Sequence, residues 1–113
     1  MTPEKLNQLC AEQMGWKENF IISPSNYRYR WIAPDGTLTD FTHHYCTDLN
    51  AAITLLNALA KEWQIVIHRP ANSSLWLMLI HKDSQEIRSA NNYLPLAIVE
   101  VFLRARKVWE EEP

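Results

Sequence analysis

The segment LWLMLIHK, residues 75 to 82, constrains the fold more than any other. Read as a strand, it sets Leu75, Leu77 and Leu79 on one face and Trp76, Met78 and Ile80 on the other. Both faces are apolar. A strand with one wet face alternates apolar with polar residues instead. The segment therefore predicts a central strand covered on both sides, with Leu77, Met78 and Leu79 all buried. Helices on both faces of a sheet would provide that cover.

The rest of the chain reads as follows. Residues 2 to 14 have the marks of a helix: Thr2 as N-cap, Pro3 in the first turn and Glu4 complementing the helix dipole. Leu6, Leu9, Cys10 and Met14 make its apolar stripe. Gly15 stands where a left-handed C-terminal residue is wanted, and Trp16 is placed to fold back on the last turn. YRYRWIAPDGTLTDF predicts a hairpin of about 27–33 and 37–42 about the PDG turn at 34–36. Residues 48 to 63 predict a second helix, with Leu49, Ala52, Ile53, Leu56, Leu59, Ala60 and Trp63 inward and Thr47 or Asp48 as cap. WQIVIHR and LWLMLIHK are two strands joined by PANSS. Residues 84 to 92 are polar and read as a connector. A third helix runs from about 93 to 109, with Asn92 as cap and Pro95 tolerated in its first turn. Its buried stripe is Leu94, Ile98, Val101, Phe102, Ala105 and Trp109, and Glu100 and Arg104 form an i,i+4 pair. The element order is α-β-β-α-β-β-α. The fold class is α+β: a single domain over 1–113, an α-β-α sandwich around a mainly antiparallel sheet of about four strands.

Composition narrows the function. At 113 residues, 47% of them hydrophobic and five of them tryptophan, one well-filled core is expected. No apolar run reaches the length of a membrane span, and MTPEKLNQLC lacks the apolar segment of an export signal. The expected location is cytoplasmic, so Cys10 and Cys46 read as free thiols. A net charge of −2 argues against a general nucleic-acid binder, and two glycines leave no phosphate loop.

Three groups of residues invite chemistry. In DFTHHYCTDLNAA, residues 40 to 52, His43, His44 and Cys46 have side chains that bind zinc. Their spacing matches no standard metal motif, and adjacent histidines in extended chain point apart. The plainer reading is that Tyr45 packs, Thr47 or Asp48 caps and the histidines are solvated. No cofactor is implied. His68 and His81 lie on neighbouring strands. If Arg69 and Ser74 flank the turn, His68 faces Leu75 and His81 lies near Glu62, at opposite ends. Tyr27, Arg28, Tyr29, Arg30 and Trp31 carry the best hint of binding, because aromatics beside arginines make stacking platforms for single strands. Strand alternation sets the two kinds on opposite faces, which suits an aromatic core face with a solvated arginine face. No nucleophile, paired-carboxylate or His-base motif stands out, so an enzyme has no positive support.

MGW (Met14 to Trp16), YCTDLNAA (Tyr45 to Ala52) and LPLAIVEVFLRA (Leu94 to Ala105) together resemble the phage ABA sandwich domain family of small phage and prophage proteins. The resemblance spans nearly the whole chain. Its motif residues here are Gly15, Trp16, Tyr45, Thr47, Asp48 and Pro95. Departures are Cys46 where the family usually has Ser, Asn50 where it often has Ala, Val99 where it often has Cys, and His43 near a common Pro. The resemblance implies α-β-α layering and a phage origin, and no chemistry. It leaves a small accessory protein that acts by binding. Alternatives are an inhibitor of host defence, a nucleotide-ligand sequesterer, or an enzyme or zinc protein using residues 43–48. Leu96, Val99 and Leu103 form a second apolar line on the third helix. That line predicts a homodimer or a protein partner on this helix or an adjoining sheet edge.

Overall fold

A computed structural model of the protein describes residues 1–19, 30–40 and 42–110. The chain is α+β. Its described elements are α1 (Pro3–Gln13), β1 (Lys17–Glu18), β2 (Trp31–Ile32), β3 (Leu38–Thr39), α2 (Leu49–Leu59), β4 (Gln64–His68), β5 (Trp76–Lys82), β6 (Gln85–Asn91) and α3 (Leu94–Ala105). The strands form two antiparallel three-stranded sheets, β1-β2-β3 and β4-β5-β6, in place of one sheet of four. The two added strands account for the change from the expected order. The 27–29 part of the first hairpin lies outside the described residues.

α1 begins and ends as its sequence demands. The Thr2 hydroxyl accepts from the Lys5 N–H at 3.2 Å. At the other end Gly15 takes φ +97°, its N–H donates to the Glu12 carbonyl, and the Trp16 N–H reaches the Ala11 carbonyl at 3.0 Å. These two bonds are a Schellman cap. They turn the chain into β1, which pairs with β2. The β2–β3 turn is equally local. The Ala33 N–H donates to Thr37, and the Asp35 carboxylate accepts from the Thr37 N–H at 3.0 Å. Gly36 adopts φ +89° after Asp35, as a three-residue hairpin requires. A Cβ on Gly15 would sit 3.4 Å from the Pro34 ring, so this turn packs closely on the end of α1.

Residues 84 to 92 are not a connector. Gln85–Asn91 is β6, joined to β5 by a two-residue turn in which Asp83 has φ +53°. Its sequence, QEIRSAN, has one large apolar residue, so tertiary pairing rather than propensity makes it a strand. The β4–β5 ladder also sits two residues from the expected register: His68 opposes Leu77, and Gln64 opposes His81. A shift of two preserves the faces. Its cause is an ordered 69–75 loop, braced by Arg69 Nε on the Ser73 carbonyl at 3.0 Å.

α3 is the centre of the molecule. It lies on β5 and β6 and also packs against α2 and α1. Ala97, Ile98, Val99, Val101, Phe102 and Leu103 are all buried, around most of its circumference, with Glu100 and Arg104 on the remaining side. The second apolar line is thus core: Val99 and Leu103 are fully covered, Leu96 is half-buried, and they form no outer surface. A helix buried over so much of its surface is an interior helix. Its first turn carries Pro95, and its N-cap is Tyr93, not Asn92, with no side-chain cap bond. The Ser89 hydroxyl donates to the Ala97 carbonyl at 2.9 Å and ties β6 to this turn. Glu100 and Arg104 pair at 3.1 Å. α2 is rotated from its expected setting. Ala52, Leu55 and Leu59 face α3, while Leu49 and Ile53 are about two-fifths exposed. LNAAITLLNAL is apolar over most of its circumference, so periodicity could not choose the buried side.

The two-sided cover of β5 is the main expectation that fails. Met78 and Ile80 are buried under α3, but Leu77 is 36% exposed and Leu79 only half-buried. Among the described residues no helix covers the second face of the β4-β5-β6 sheet, so they do not show the expected α-β-α layering. α1 and α2 stack on α3 instead of crossing to the far side of the sheet.

Candidate functional site

Two surfaces gather the side chains that can recognise something. The first is a polar cleft where α1 meets β2 and the 40–46 segment. Glu4, Asn7 and Gln8 share one face of α1, at helical spacing. Asn7 does the positioning: its Oδ1 accepts from the Cys46 N–H at 3.0 Å and stitches the loop to the helix. Opposite lie Arg30, Asp40, Thr42 and His44, with Trp31 and His43 at the floor, around a volume of about 280 Å³. Among the described residues no ion pair joins Arg30 to Glu4 or Asp40.

His43, expected to be solvated, is instead a buried packing residue, because the aromatic rings of Trp16, Trp31 and Tyr45 enclose it. Its ring meets Trp16 and Trp31 edge-on at 4.5 and 4.9 Å and stacks on Tyr45 at 5.7 Å. Burial, then the charges of Arg30 and His44, hold its pKa below the usual histidine value, so it is neutral at pH 7. His44 is exposed. Cys46 is buried against α1, with Sγ 3.8 Å from the Pro3 carbonyl. Burial and the nearby Glu4 push its thiol up to about 11. Burial, and the neighbouring Cys46, push the Cys10 thiol above its ordinary range. Tyr45 is raised to about 12 by burial and by Cys10. Such thiols are protonated at neutral pH and are poor nucleophiles and metal ligands. His43, His44 and Cys46 have three different surroundings, and among the described residues no three His, Cys, Asp or Glu side chains converge on one point.

The second surface is the open face of the β4-β5-β6 sheet. The ladders set Val66, Leu79 and Arg88 in one row and His68, Leu77 and Ala90 in the next. Gln64, His81 and Glu86 form the row beyond. Val66 is 47% exposed, and Leu75 and Leu77 are also open. Arg88 Nε meets Glu86 at 3.0 Å, so the face is apolar along its middle and close to neutral at its rim. His68 on β4 and His81 on β5 share this face but sit at opposite ends of the β4–β5 ladder, at positions paired with Leu77 and Gln64.

Comparison with known protein families, with curated proteins and with solved structures finds no match.

The site therefore rests on the chain's own geometry. Trp31 is buried and Arg30 exposed, with its guanidinium 5.8 Å from the Trp31 ring centroid. Tyr27, Arg28 and Tyr29 lie outside the described residues. Gly15 and Trp16 form the α1 cap described above, and Tyr45 is core. Asp48, not Thr47, caps α2: its Oδ1 accepts from the Asn50 N–H at 2.9 Å. Thr47 has another role, its carbonyl accepting from the Tyr93 hydroxyl at 2.7 Å. Sequence reasoning missed the cleft, because Glu4, Asn7 and Arg30 meet only through the tertiary fold. It also missed the open face. One sign was available, since Glu86 and Arg88 alternate on a strand that reads as polar.

Proposed function

We propose that the protein is a small phage or prophage-type accessory protein of the host cytoplasm that acts by binding a protein partner. The observation that carries this is the open face of β5, where Leu77 lies exposed beside the paired Val66 and Leu79, on a strand whose other face, Met78 and Ile80, is core. Contiguous apolar surface on a small chain marks an interface. Charge selects the partner's chemistry. Arg88 is neutralised by Glu86, so the face has no cationic excess for nucleic acid or an anionic membrane. No helix among the described residues is long and apolar enough to cross a membrane. The surface fits a protein with an apolar centre and a neutral rim, such as a component of host defence. A partner seated there would complete the α-β-α layering that the phage ABA sandwich resemblance implies. The test compares capture from bacterial lysate by the wild type and by Leu77→Asp, which leaves Met78 and the core face in place. A protein retained by the wild type and lost by the variant supports the proposal. Identical captures overturn it.

A second reading has its own observation. The polar cleft sets Arg30 and His44 opposite Glu4, with Asp40 beside them, and these charges have no ion pair with one another. That arrangement suits sequestration of a small ligand with both an anionic and a hydrogen-bonding part, such as a nucleotide. A ligand that binds only the native state must raise the melting temperature. Nucleoside monophosphates should then stabilise the wild type and not Arg30→Ala. No shift with either protein removes this reading.

A further inference from the structure

We infer that β4 is a self-pairing edge through which two copies of the chain join their second sheets into one. β4 is the outer strand of β4-β5-β6, and β5 is the element it principally packs against. Its sequence, QIVIH, has no proline, glycine, lysine or carboxylate. Natural edge strands are ordinarily blunted by such residues, by bulges or by cover, because the outward N–H and C=O groups template another strand. β4 has none of these among the described residues. Apart from Ile65, which is half-buried against the core, its side chains are exposed, on both faces. Val66 on the outer face is 47% exposed. Ile67 points to the α3 side, opposite Met78, yet is 41% exposed, because α3 covers β5 and β6 and stops short of β4.

The occupant follows from the strand's own symmetry. A twofold axis through Val66, perpendicular to the sheet, pairs β4 antiparallel with its copy. Val66 then opposes Val66, Ile65 opposes Ile67, and Gln64 opposes His68. This register pairs all five strand residues and leaves both α3 helices on the same side of the joined sheet. Moving the axis to Ile65 or Ile67 leaves strand residues unpaired. An axis between residues would set side chains of opposite faces directly across from each other, which an antiparallel ladder does not allow. The Ile65–Ile67 pairs continue the apolar row of Met78 and Ile80 across the junction. Beyond the strand, Arg69 falls opposite Trp63, a cation against an aromatic face, and no like charges meet. Roughly four to six main-chain hydrogen bonds form in such a ladder, depending on which alternate residues face outward. An isologous contact of this kind closes as a dimer and cannot propagate.

The inference shares Val66 with the partner reading, which is centred on Leu77 of the outer face, so Leu77→Asp separates the two. Light scattering on the wild type should give twice the 13.2 kDa chain mass at high concentration. Val66→Lys and Val66→Glu each place like charges across the axis and should each run as folded monomers, checked by circular dichroism. Mixed in equal amounts, they should recover the doubled mass as a lysine–glutamate heterodimer. Leu77→Asp, which spoils the outer face alone, should keep the dimer. A monomeric wild type, charged variants that still dimerise singly, or a mixture that stays monomeric would each overturn the proposal. If Val66→Lys fails to fold, Val66→Cys replaces it. Mild oxidation should then link two chains through the axis, and no linked dimer would count against the register.

Discussion

Met78 and Leu77 are adjacent on β5, similar in size and opposite in environment, so truncating each to alanine tests the one-sided sheet directly. Met78 is 1% exposed, between Ile67 on β4 and Ser89 on β6 and under α3. Removing its side chain loses the transfer free energy and leaves a void that packed neighbours cannot fill, a cost of about 2–5 kcal/mol. Leu77 is 36% exposed and borders solvent, so water replaces what is removed and no cavity forms. Fully burying a leucine contributes about 1.5–3 kcal/mol, and the part lost here scales to about 1 kcal/mol. Urea unfolding followed by tryptophan fluorescence measures both. For a domain of this size each kcal/mol moves the melting temperature by about 4 °C. Met78→Ala should therefore melt roughly 8–20 °C lower and Leu77→Ala roughly 4 °C lower. Equal losses, with unchanged denaturant slopes, would refute the reasoning, because they would mean that the outer face is as tightly packed as the core.

Three further outcomes follow from the site. His43 has a folded pKa below its unfolded value of 6.5, so its contribution is complete above pH 6.5 and is lost as the pH falls below that value, where the unfolded chain takes up the proton first. Unfolding free energies measured across that range should decline with acid, and His43→Phe should flatten the decline. Cys10 and Cys46 are buried with raised pKa values, so a thiol reagent at pH 8 should modify neither in the native protein and both in urea; rapid native labelling would refute the packing of the 42–46 segment on α1. Asp48 caps α2 and Thr47 does not, so Asp48→Ala should cost about 0.5–2 kcal/mol, while Thr47→Ala, whose carbonyl bond to Tyr93 survives, should cost less in the same urea assay.

The local devices were legible in the residues because each is decided within a few positions. Thr2 and Pro3 start α1, and Gly15 ends it because a left-handed backbone costs glycine nothing. PDG turns the β2–β3 hairpin, and Asp48 caps α2 with its own side chain. Adjacent histidines in extended chain point apart, but the expectation that both are solvated fails for His43, which the fold buries while leaving His44 in water. The alternation in LWLMLIHK identified a strand. What alternation cannot say is how many layers the chain has to cover it. Three helices were available, and α3, apolar on all but its Glu100–Arg104 side, drew α1 and α2 onto itself and away from the far face of the sheet. β6 escaped notice for the same reason: its backbone pairs with β5, while its side chains are those of a loop. The cleft joins residue 4 to residue 44 across a tertiary contact, held by Asn7 on the Cys46 N–H. Periodicity and capping act over one or two turns of chain. The choice of which apolar face meets which is a competition among distant surfaces, and only the folded whole decides it.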